Sequence, residues 1–259
     1  MDIVEAFVLA VVKGVTEWLP VGSAGHDVLM QHFFGLGGQE GFDIVLRLAA
    51  LLVVLYVFRM DIIEIFRSLF AWRPGKGFMD DVYRRWAVVI AAGSIPVAVG
   101  GYIFSMAMTE VFSTLVSVGI AFLVTGFLLS MTGFVRKKNE MPTVLQGFIV
   151  GVFHALALFP GISRTGATIS AGMLQGVSRE NAARLSFLLF IPAIIGTALY
   201  KLPAARFDAS LSVLFVAVIT IMVVSYGTIE LLLASVRKGY LHHFAWYCYA
   251  IGFVTLFLV

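Results

Sequence analysis

The apolar residues of this 259-residue chain fall into long stretches, rather than into the short alternating runs of a soluble protein. Stretches of this length are typical of helices that cross a membrane. The predicted spans are Phe42–Phe58, Trp86–Phe104, Phe112–Phe134, Ala182–Tyr200, Leu211–Ala234 and Phe244–Val259. We therefore expect an all-α integral membrane protein with about six transmembrane helices.

Two further apolar regions are interrupted by proline and glycine. The first consists of Ile3–Val12 and Val28–Leu36, and neither piece crosses a membrane alone. The second, Val144–Gly176, is broken at Pro160-Gly161. Both are predicted to be re-entrant helix hairpins. A turn at membrane depth is tolerated only where it lines a cavity inside the protein.

The two hairpins predict an inverted repeat. TEWLPVGSAGH at 16–26 resembles ALFPGISRTG at 157–166, and the segments that begin at Arg47 and Arg184 also match. The chain is then a single polytopic membrane domain, 1–259, with one repeat at about 1–134 and the other at about 144–259. Inverted repeats with broken helices place a site where the breaks meet.

Basic loops predict the orientation. Arg59–Arg85, Arg136–Lys138 and Arg237-Lys238 fall on one face, which the positive-inside rule assigns to the cytoplasm. Lys201 and Arg206 fall on the other face. Both termini are then periplasmic or extracellular, the first hairpin enters from outside, and the second enters from the cytoplasm.

The composition adds two exclusions. Charged residues make up 13% of the chain and the net charge is +3, which does not suit a nucleic-acid binder. The one cysteine, Cys248, rules out a disulfide framework and a cysteine-based metal cluster.

The second break carries a candidate anion site. Arg164 lies at membrane depth, where a guanidinium must face a protein interior or a wet cavity. The hydroxyls of Ser163 and Thr165 and the backbone N–H groups from Gly166 onward begin the next helix. A helix N-terminus beside a planar, forked cation suits phosphate. The alternative is a kinked helix whose arginine reaches out to the headgroups.

The first break carries acid–base groups that we expect to face that site. Glu17 and His26 could act as a general base, nucleophile or general acid, and Ser23 is a second candidate nucleophile behind His26. Glu17 could also hold a divalent cation against the phosphates. The alternatives are a helical ion pair between Lys13 and Glu17 and a hydrogen-bonded core role for His26.

Two more polar residues lie inside apolar segments. His154 is expected to bond a backbone carbonyl. Arg47 is expected either to face the cavity or to extend along its helix to the headgroups.

At these residues the chain resembles a known family. GVTEWLPVGSAGHDVLM and ALALFPGISRTGATISAGMLQGVSRENAARLSFLLFIPA are similar to the two signature regions of the undecaprenyl pyrophosphate phosphatases, or bacitracin-resistance proteins. The resemblance covers nearly the whole chain. It implies a multi-pass enzyme of the bacterial plasma membrane that removes the terminal phosphate of undecaprenyl pyrophosphate and so recycles the carrier lipid of the cell wall. It also implies six spans and two re-entrant hairpins.

The resemblance implies roles for individual residues. Glu17 would be an acid–base or metal-associated residue, His26 a nucleophile or base, and Ser23 a neighbour in the same site. The family's activity is linked to a divalent cation, Mg²⁺ or Ca²⁺. The predicted pyrophosphate ligands are Ser163, Arg164, Thr165, Gly166, Thr168, Lys13 and Arg47.

This chain departs from the family pattern in its first motif. Lys13 stands where the family has a glutamate, Ser23 is flanked by glycine and alanine, and Arg47 and His154 stand where glutamine is common. If Lys13 faces the cavity, it should keep Glu17 ionised and add positive charge to the phosphate site. We therefore expect a weaker dependence on divalent cations.

Two functions follow from this pattern. The first is a polyprenyl pyrophosphate phosphatase; the alternative is a non-hydrolytic transporter or flippase of polyprenyl phosphate that uses the same anion site. The retained Glu17 and His26 favour the enzyme, whereas the altered first motif favours the transporter. Expected partners are the polyprenyl pyrophosphate, membrane lipids and a second copy of the chain in a homodimer.

Overall fold

The computed structural model describes residues 1–35, 40–71, 77–107, 114–135, 141–205, 207 and 209–258. These residues form α-helices joined by short 3₁₀ segments and turns, and no strand occurs among them. The α-helices are α1 Ile3–Thr16, α2 Ser23–Phe34, α3 Glu40–Val57, α4 Arg59–Phe70, α5 Val82–Ala107, α6 Leu115–Met131, α7 Val144–Leu156, α8 Arg164–Leu174, α9 Arg179–Lys201, α10 Leu211–Lys238 and α11 Phe244–Phe257.

The first hairpin consists of α1 and α2. A capping box formed by Asp2 and Glu5 begins α1, and the helix continues to Thr16, beyond the predicted apolar piece. Helix α2 begins at Ser23, five residues before the apolar residues that predicted it. Gly22 precedes it with φ +82°, a left-handed conformation that favours glycine.

The second hairpin consists of α7 and α8. Thr143 and Gln146 form a capping box at the start of α7. The chain then turns through Gly161, which has φ +98°, and Ser163 caps α8 by accepting the Gly166 N–H at 3.1 Å. The predicted break at Pro160-Gly161 is confirmed.

The all-α membrane class is also confirmed. Within the described ranges, four helical segments are long and apolar enough to cross a membrane, in α5, α6, α9 and α10. The pair α3–α4 is a fifth candidate when the two bent helices are counted together. The sixth predicted span, α11, has 14 residues, about 21 Å of helix, and is shorter than a bilayer core. Its crossing stays a prediction.

Helix α4 corrects one expectation. The segment Arg59–Arg85 was expected to be a loop, but Arg59–Phe70 is helical and bends by 74° from α3. Most of its apolar side chains, among them Phe66 at 58% and Phe70 at 87%, are exposed, and none of its residues is fully buried. An amphipathic helix bent out of a span is typical of a segment that lies in the membrane interface.

The long helices of the two predicted repeats pack reciprocally. Helix α1 of the first hairpin packs on α10, and α7 of the second hairpin packs on α5. Helices α6 and α11 pack on each other, as do α3 and α9. An inverted repeat predicts this exchange of partners, because α7 corresponds to α1 and α10 corresponds to α5. The division into repeats itself stays a prediction.

Ion pairs at the two ends show that α3 and α9 run antiparallel. Lys201 at the end of α9 pairs with Glu40 at the start of α3, at 3.2 Å. Arg184 near the start of α9 pairs with Asp61 just beyond α3, also at 3.2 Å. Arg237 lines a cavity with Asp61 and Arg184, so this basic residue lies at the same end as α4.

Three residues of the predicted basic loops, Arg136–Lys138, lie outside the described residues, as does Arg206. The segment that leads into residue 136 does lie near the basic end of α10. A Cβ at Gly133 would be 3.3 Å from the His242 ring, and His242 follows Lys238 by four residues.

Candidate active site

The turns of the two hairpins touch each other. A Cβ added to Gly22 would lie 2.7 Å from the Gly161 carbonyl oxygen, and one added to Gly25 would lie 2.7 Å from Gly161 Cα. Phe122 of α6 packs beside both glycines, so no larger residue fits. The contact brings the polar residues of the two breaks together, as the sequence predicts.

Thr125 of α6 holds the second turn. Its hydroxyl lies 3.0 Å from the Gly161 carbonyl oxygen and accepts the Ser163 backbone N–H at 3.0 Å. These bonds satisfy backbone groups that no water could reach at this depth. Thr125 lies well inside α6, so the turn is placed within the helical bundle.

Arg164 begins α8 and reaches the first turn. Its Nη2 donates to the backbone carbonyl of Glu17 at 3.3 Å and lies 3.5 Å from the Glu17 carboxylate. The guanidinium carbon lies 5.3 Å from the Trp18 ring and 4.2 Å from the Phe190 ring, which fixes its plane. Nε and Nη1 are buried and have no hydrogen-bond partner within the described part of the chain.

Glu17 follows α1 directly and is buried with the guanidinium, its side chain 8% exposed and that of Arg164 12% exposed. Thr165 also donates its hydroxyl to the Glu17 carbonyl, at 3.3 Å. Arg164 and Thr165 of the second hairpin therefore both donate hydrogen bonds to the backbone carbonyl of Glu17. The alternative in which Arg164 reaches out to the headgroups does not match this placement.

His26 is held at both ring nitrogens. Nδ1 lies 2.8 Å from the Gly22 carbonyl oxygen, and Nε2 lies 2.7 Å from the Tyr247 hydroxyl. A carbonyl oxygen only accepts, so Nδ1 carries the proton of the neutral ring and the lone pair is on Nε2. The hydroxyl of Tyr247 then donates to that lone pair. Phe122 packs edge-on against the same ring at 5.2 Å.

Ser23 is the first residue of α2, one turn before His26, so the two side chains share one face. Its hydroxyl oxygen is buried beside the Glu17 carboxylate, yet it makes no hydrogen bond of good geometry with any described residue. A buried hydroxyl without a partner is uncommon and points to a site that a ligand completes.

The other predicted ligands of the second hairpin are used inside the protein. The Ser163 hydroxyl caps α8 at Gly166. The Thr168 hydroxyl lies 2.6 Å from Ser186 and donates to the Arg164 carbonyl at 2.8 Å. Thr168 therefore supports α8 in this structure rather than presenting its hydroxyl to a ligand.

Lys13 corrects another expectation. It does not pair with Glu17; its Nζ donates to Asp27 at 2.9 Å and to Asp43 at 2.7 Å. Sequence reasoning missed both aspartates, because 14 and 30 residues separate them from the lysine. In this structure the ammonium is paired with two carboxylates, and its role as a phosphate ligand stays a prediction.

Arg47 is partly buried and lies within the electrostatic reach of Glu17, Asp27 and Asp43. This placement favours the cavity over the headgroups. His154 is buried near Arg164, but its Nδ1 has no partner among the described residues. Nδ1 therefore does not make the expected bond to a backbone carbonyl, and for the other ring nitrogen that bond stays a prediction.

The residues present do not fit a divalent cation at Glu17. No group of three His, Cys, Asp or Glu side chains able to hold a metal occurs in the described ranges. Glu17 faces the Arg164 guanidinium, with Arg47 and Lys13 also nearby. The Glu17 carboxylate is thus already paired with a guanidinium, and no further carboxylate or imidazole of the described residues joins it as a metal ligand, so we derive no step through a metal.

Comparisons with known proteins agree with this geometry. The sequence model of the family described as "Bacitracin resistance protein BacA" matches residues 6–254. The chain is 36% identical to an undecaprenyl-diphosphatase of Methanosphaera stadtmanae, over 100% of this chain and 98% of that protein. It is 34% identical to one of Korarchaeum cryptofilum, over 100% of both chains, and 38% identical to one of Desulfatibacillum aliphaticivorans, over 99% and 98%.

Proposed function

The chain belongs to the bacitracin resistance protein BacA family, and from that premise we propose that it is a membrane-embedded undecaprenyl-diphosphatase. It hydrolyses the lipid pyrophosphate to the lipid monophosphate and inorganic phosphate. The relatives named above are all named as diphosphatases, and the match covers almost their whole length. The non-hydrolytic transporter is therefore not favoured.

One observation carries the substrate class. Arg164 buries a guanidinium with two N–H-bearing nitrogens that have no partner in the described chain. Leaving charged donors unpaired inside a protein is costly, so the site is built for an anion that accepts from them. The N–H groups of Arg164 and Thr165 also lack acceptors within α8, since they belong to its first turn. A terminal phosphate offers oxygens to both sets of donors.

His26 is the group we propose for the bond change. Its Nε2 lone pair attacks the terminal phosphorus once the Tyr247 hydroxyl has moved aside. An N–P bond forms, the bond from phosphorus to the bridging oxygen breaks, and that oxygen leaves with the lipid monophosphate. Water then attacks the phosphorus and releases phosphate and the free imidazole. Arg164 stabilises the charge that accumulates on the equatorial oxygens.

Glu17 and Ser23 complete this proposal. The carboxylate holds the guanidinium in place through the 3.5 Å contact and lies beside the Ser23 hydroxyl. Ser23 donates to a phosphate oxygen when substrate is bound, which satisfies its buried oxygen. Ser23 also stays the second candidate nucleophile, with Glu17 as its base.

The cellular setting is part of the proposal. The long apolar helices make this a multi-pass membrane protein. We propose the plasma membrane, with both termini outside, because Arg237, Arg184 and α4 lie at one end of the bundle and the positive-inside rule makes that end cytoplasmic. The homodimer stays a prediction.

Phosphate release from undecaprenyl pyrophosphate by the purified protein tests the function. We expect turnover by the wild-type chain and none by His26→Ala. A protein that binds the lipid or moves it across vesicles without releasing phosphate would instead be a transporter.

Trapping with substrate labelled in the terminal phosphate tests the nucleophile. Phosphohistidine survives alkali and is lost in acid, whereas phosphoserine survives acid. An alkali-stable, acid-labile label that disappears in His26→Ala is the expected result; acid-stable label on the protein would transfer the role to Ser23.

A further inference from the structure

Lys13 joins three helix ends through one ammonium group. It lies in the last turn of α1, Asp27 lies near the start of α2, and Asp43 lies near the start of α3. The lysine side chain is 3% exposed, whereas the two aspartate side chains are 29% and 45% exposed. The ammonium is therefore buried behind two carboxylates that face the outer part of the site.

This bridge is the main described link between α2 and α3. The other helix contacts of α2 are chiefly with α1 and α6. Helix α2 carries Ser23 and His26, and α3 carries Arg47. The contact between Lys13 and the two aspartates therefore links the helix that carries the proposed nucleophile to the helix that carries Arg47.

The charges near the site balance when this lysine is counted. Lys13, Arg47 and Arg164 supply three cations. Three carboxylates interact with them: Glu17, Asp27 and Asp43. Without the ammonium, two carboxylates whose oxygens lie 2.9 and 2.7 Å from one point would repel each other. One or two carboxylates completed by waters are the usual protein contribution to a Mg²⁺ site, and Ca²⁺ likewise takes carboxylate and water oxygens.

We propose that Lys13 is a resident, covalently tethered cation that bridges Asp27 and Asp43 where other proteins use a divalent metal. Because the ammonium is part of the chain, Asp27 and Asp43 are always bridged. This part of the site therefore assembles without added Mg²⁺ or Ca²⁺. This inference deepens the proposed phosphatase function, because it makes the wild-type reaction insensitive to chelators. The bridge can nevertheless be tested by stability and metal binding alone.

The test is thermal unfolding of the purified protein in detergent, with chelator and with millimolar CaCl₂. For the wild type we expect the same Tm in both. Lys13→Met keeps most of the apolar stem of the side chain and leaves two carboxylates without their cation. Its Tm in chelator should fall by roughly 5–10 °C, and CaCl₂ should restore most of that loss by bridging Asp27 and Asp43.

Lys201→Met is the matched control. It removes an exposed lysine that pairs with Glu40 at 3.2 Å at the same end of the bundle. Surface pairs contribute little, so its Tm should match the wild type and should not respond to CaCl₂.

A second variant keeps the test decisive if Lys13→Met does not fold. The triple change Lys13→Met, Asp27→Asn and Asp43→Asn removes all three charges. It should be more stable in chelator than Lys13→Met and should not bind Ca²⁺. The proposed bridge is refuted if the triple variant fails to fold or if Lys13→Met has the Tm of the wild type. It is also refuted if chelator lowers the Tm of the wild type.

Phosphate release in chelator separates this inference from the proposed function. Turnover by the wild type in chelator is expected. Loss of turnover in chelator, restored by Mg²⁺ or Ca²⁺, would overturn the inference and leave the phosphatase standing. The expected Tm pattern without turnover under any condition would leave the bridge standing and remove the phosphatase.

Discussion

Arg164→Lys is the change that tests the anion site most directly. Lysine keeps the positive charge near Glu17, but it lacks the planar fork that presents Nε and Nη1 together. An ammonium can still donate to one phosphate oxygen. The variant therefore loses at least one charge-assisted hydrogen bond to the transferring phosphate, along with the fixed plane set by Trp18 and Phe190.

The size of the effect follows from that loss. A hydrogen bond to a charged group contributes about 1.5–3 kcal/mol, which corresponds to roughly a 10- to 150-fold lower kcat/KM. Phosphate release from undecaprenyl pyrophosphate measures it, with the Tm of the variant as a check that the fold is kept.

Arg184→Lys is the control for this prediction. Arg184 also pairs with a carboxylate, Asp61 at 3.2 Å, and lies over an aromatic ring, Trp86 at 5.8 Å, but at the opposite end of α9 from Lys201. Its turnover should stay within about fivefold of the wild type, since a partly exposed pair away from the site contributes at most about 1 kcal/mol. Near-normal turnover in Arg164→Lys would refute its place in the site.

Three further predictions concern the hairpin contact, the histidine and the orientation. Gly25→Ala should cost roughly 1–3 kcal/mol of stability and most of the activity, because the new Cβ would lie 2.7 Å from the second turn. Gly227→Ala is the control: a Cβ there has no atom within 4 Å, so neither stability nor activity should change. Tyr247→Phe should raise kcat roughly 2- to 10-fold with little change in KM, since the hydroxyl that occupies the Nε2 lone pair is lost while Gly22 still orients the ring; a lower kcat would show that the hydroxyl takes part in the reaction. Lys238→Cys in a Cys248→Ser background should react with an impermeant thiol reagent only from the cytoplasmic side, and reaction from outside would reverse the orientation.

The sequence predicted those features that depend on local chemistry. The spans α5, α9 and α10 follow from long apolar stretches, and their boundaries differ from the predicted ones by only a few residues. The break at Pro160-Gly161 follows from the lack of a backbone donor in proline and the freedom of glycine. Helix α4 was missed because its charges recur among apolar residues, a pattern that looks like a basic loop unless helical periodicity is counted.

Features that depend on distant contacts were not predictable in the same way. Tyr247 lies 221 residues from His26, and no local pattern marks it as a partner. A direct ion pair between Lys13 and Glu17, four residues away, is not formed, because the burial of the ammonium requires stronger pairing than one neighbouring carboxylate provides. One local signal could have marked Asp43 as an ion-pair residue. It precedes Arg47 by one helical turn, and an aspartate inside an apolar helix needs a cation.

The reciprocal packing of α1 on α10 has a consequence for biosynthesis. The first hairpin is synthesised early, but the surface that receives α1 belongs to Leu211–Lys238, about 200 residues later. At about 5–20 residues per second, α1 waits roughly 10–40 s before its partner leaves the ribosome. During that interval Lys13 and Glu17 have no finished interior to enter, so the hairpin must wait at the membrane surface or against the insertion machinery. The first hairpin is then among the last elements to be covered, and a chain that stops before α10 is complete leaves the α10-facing surface of α1 exposed.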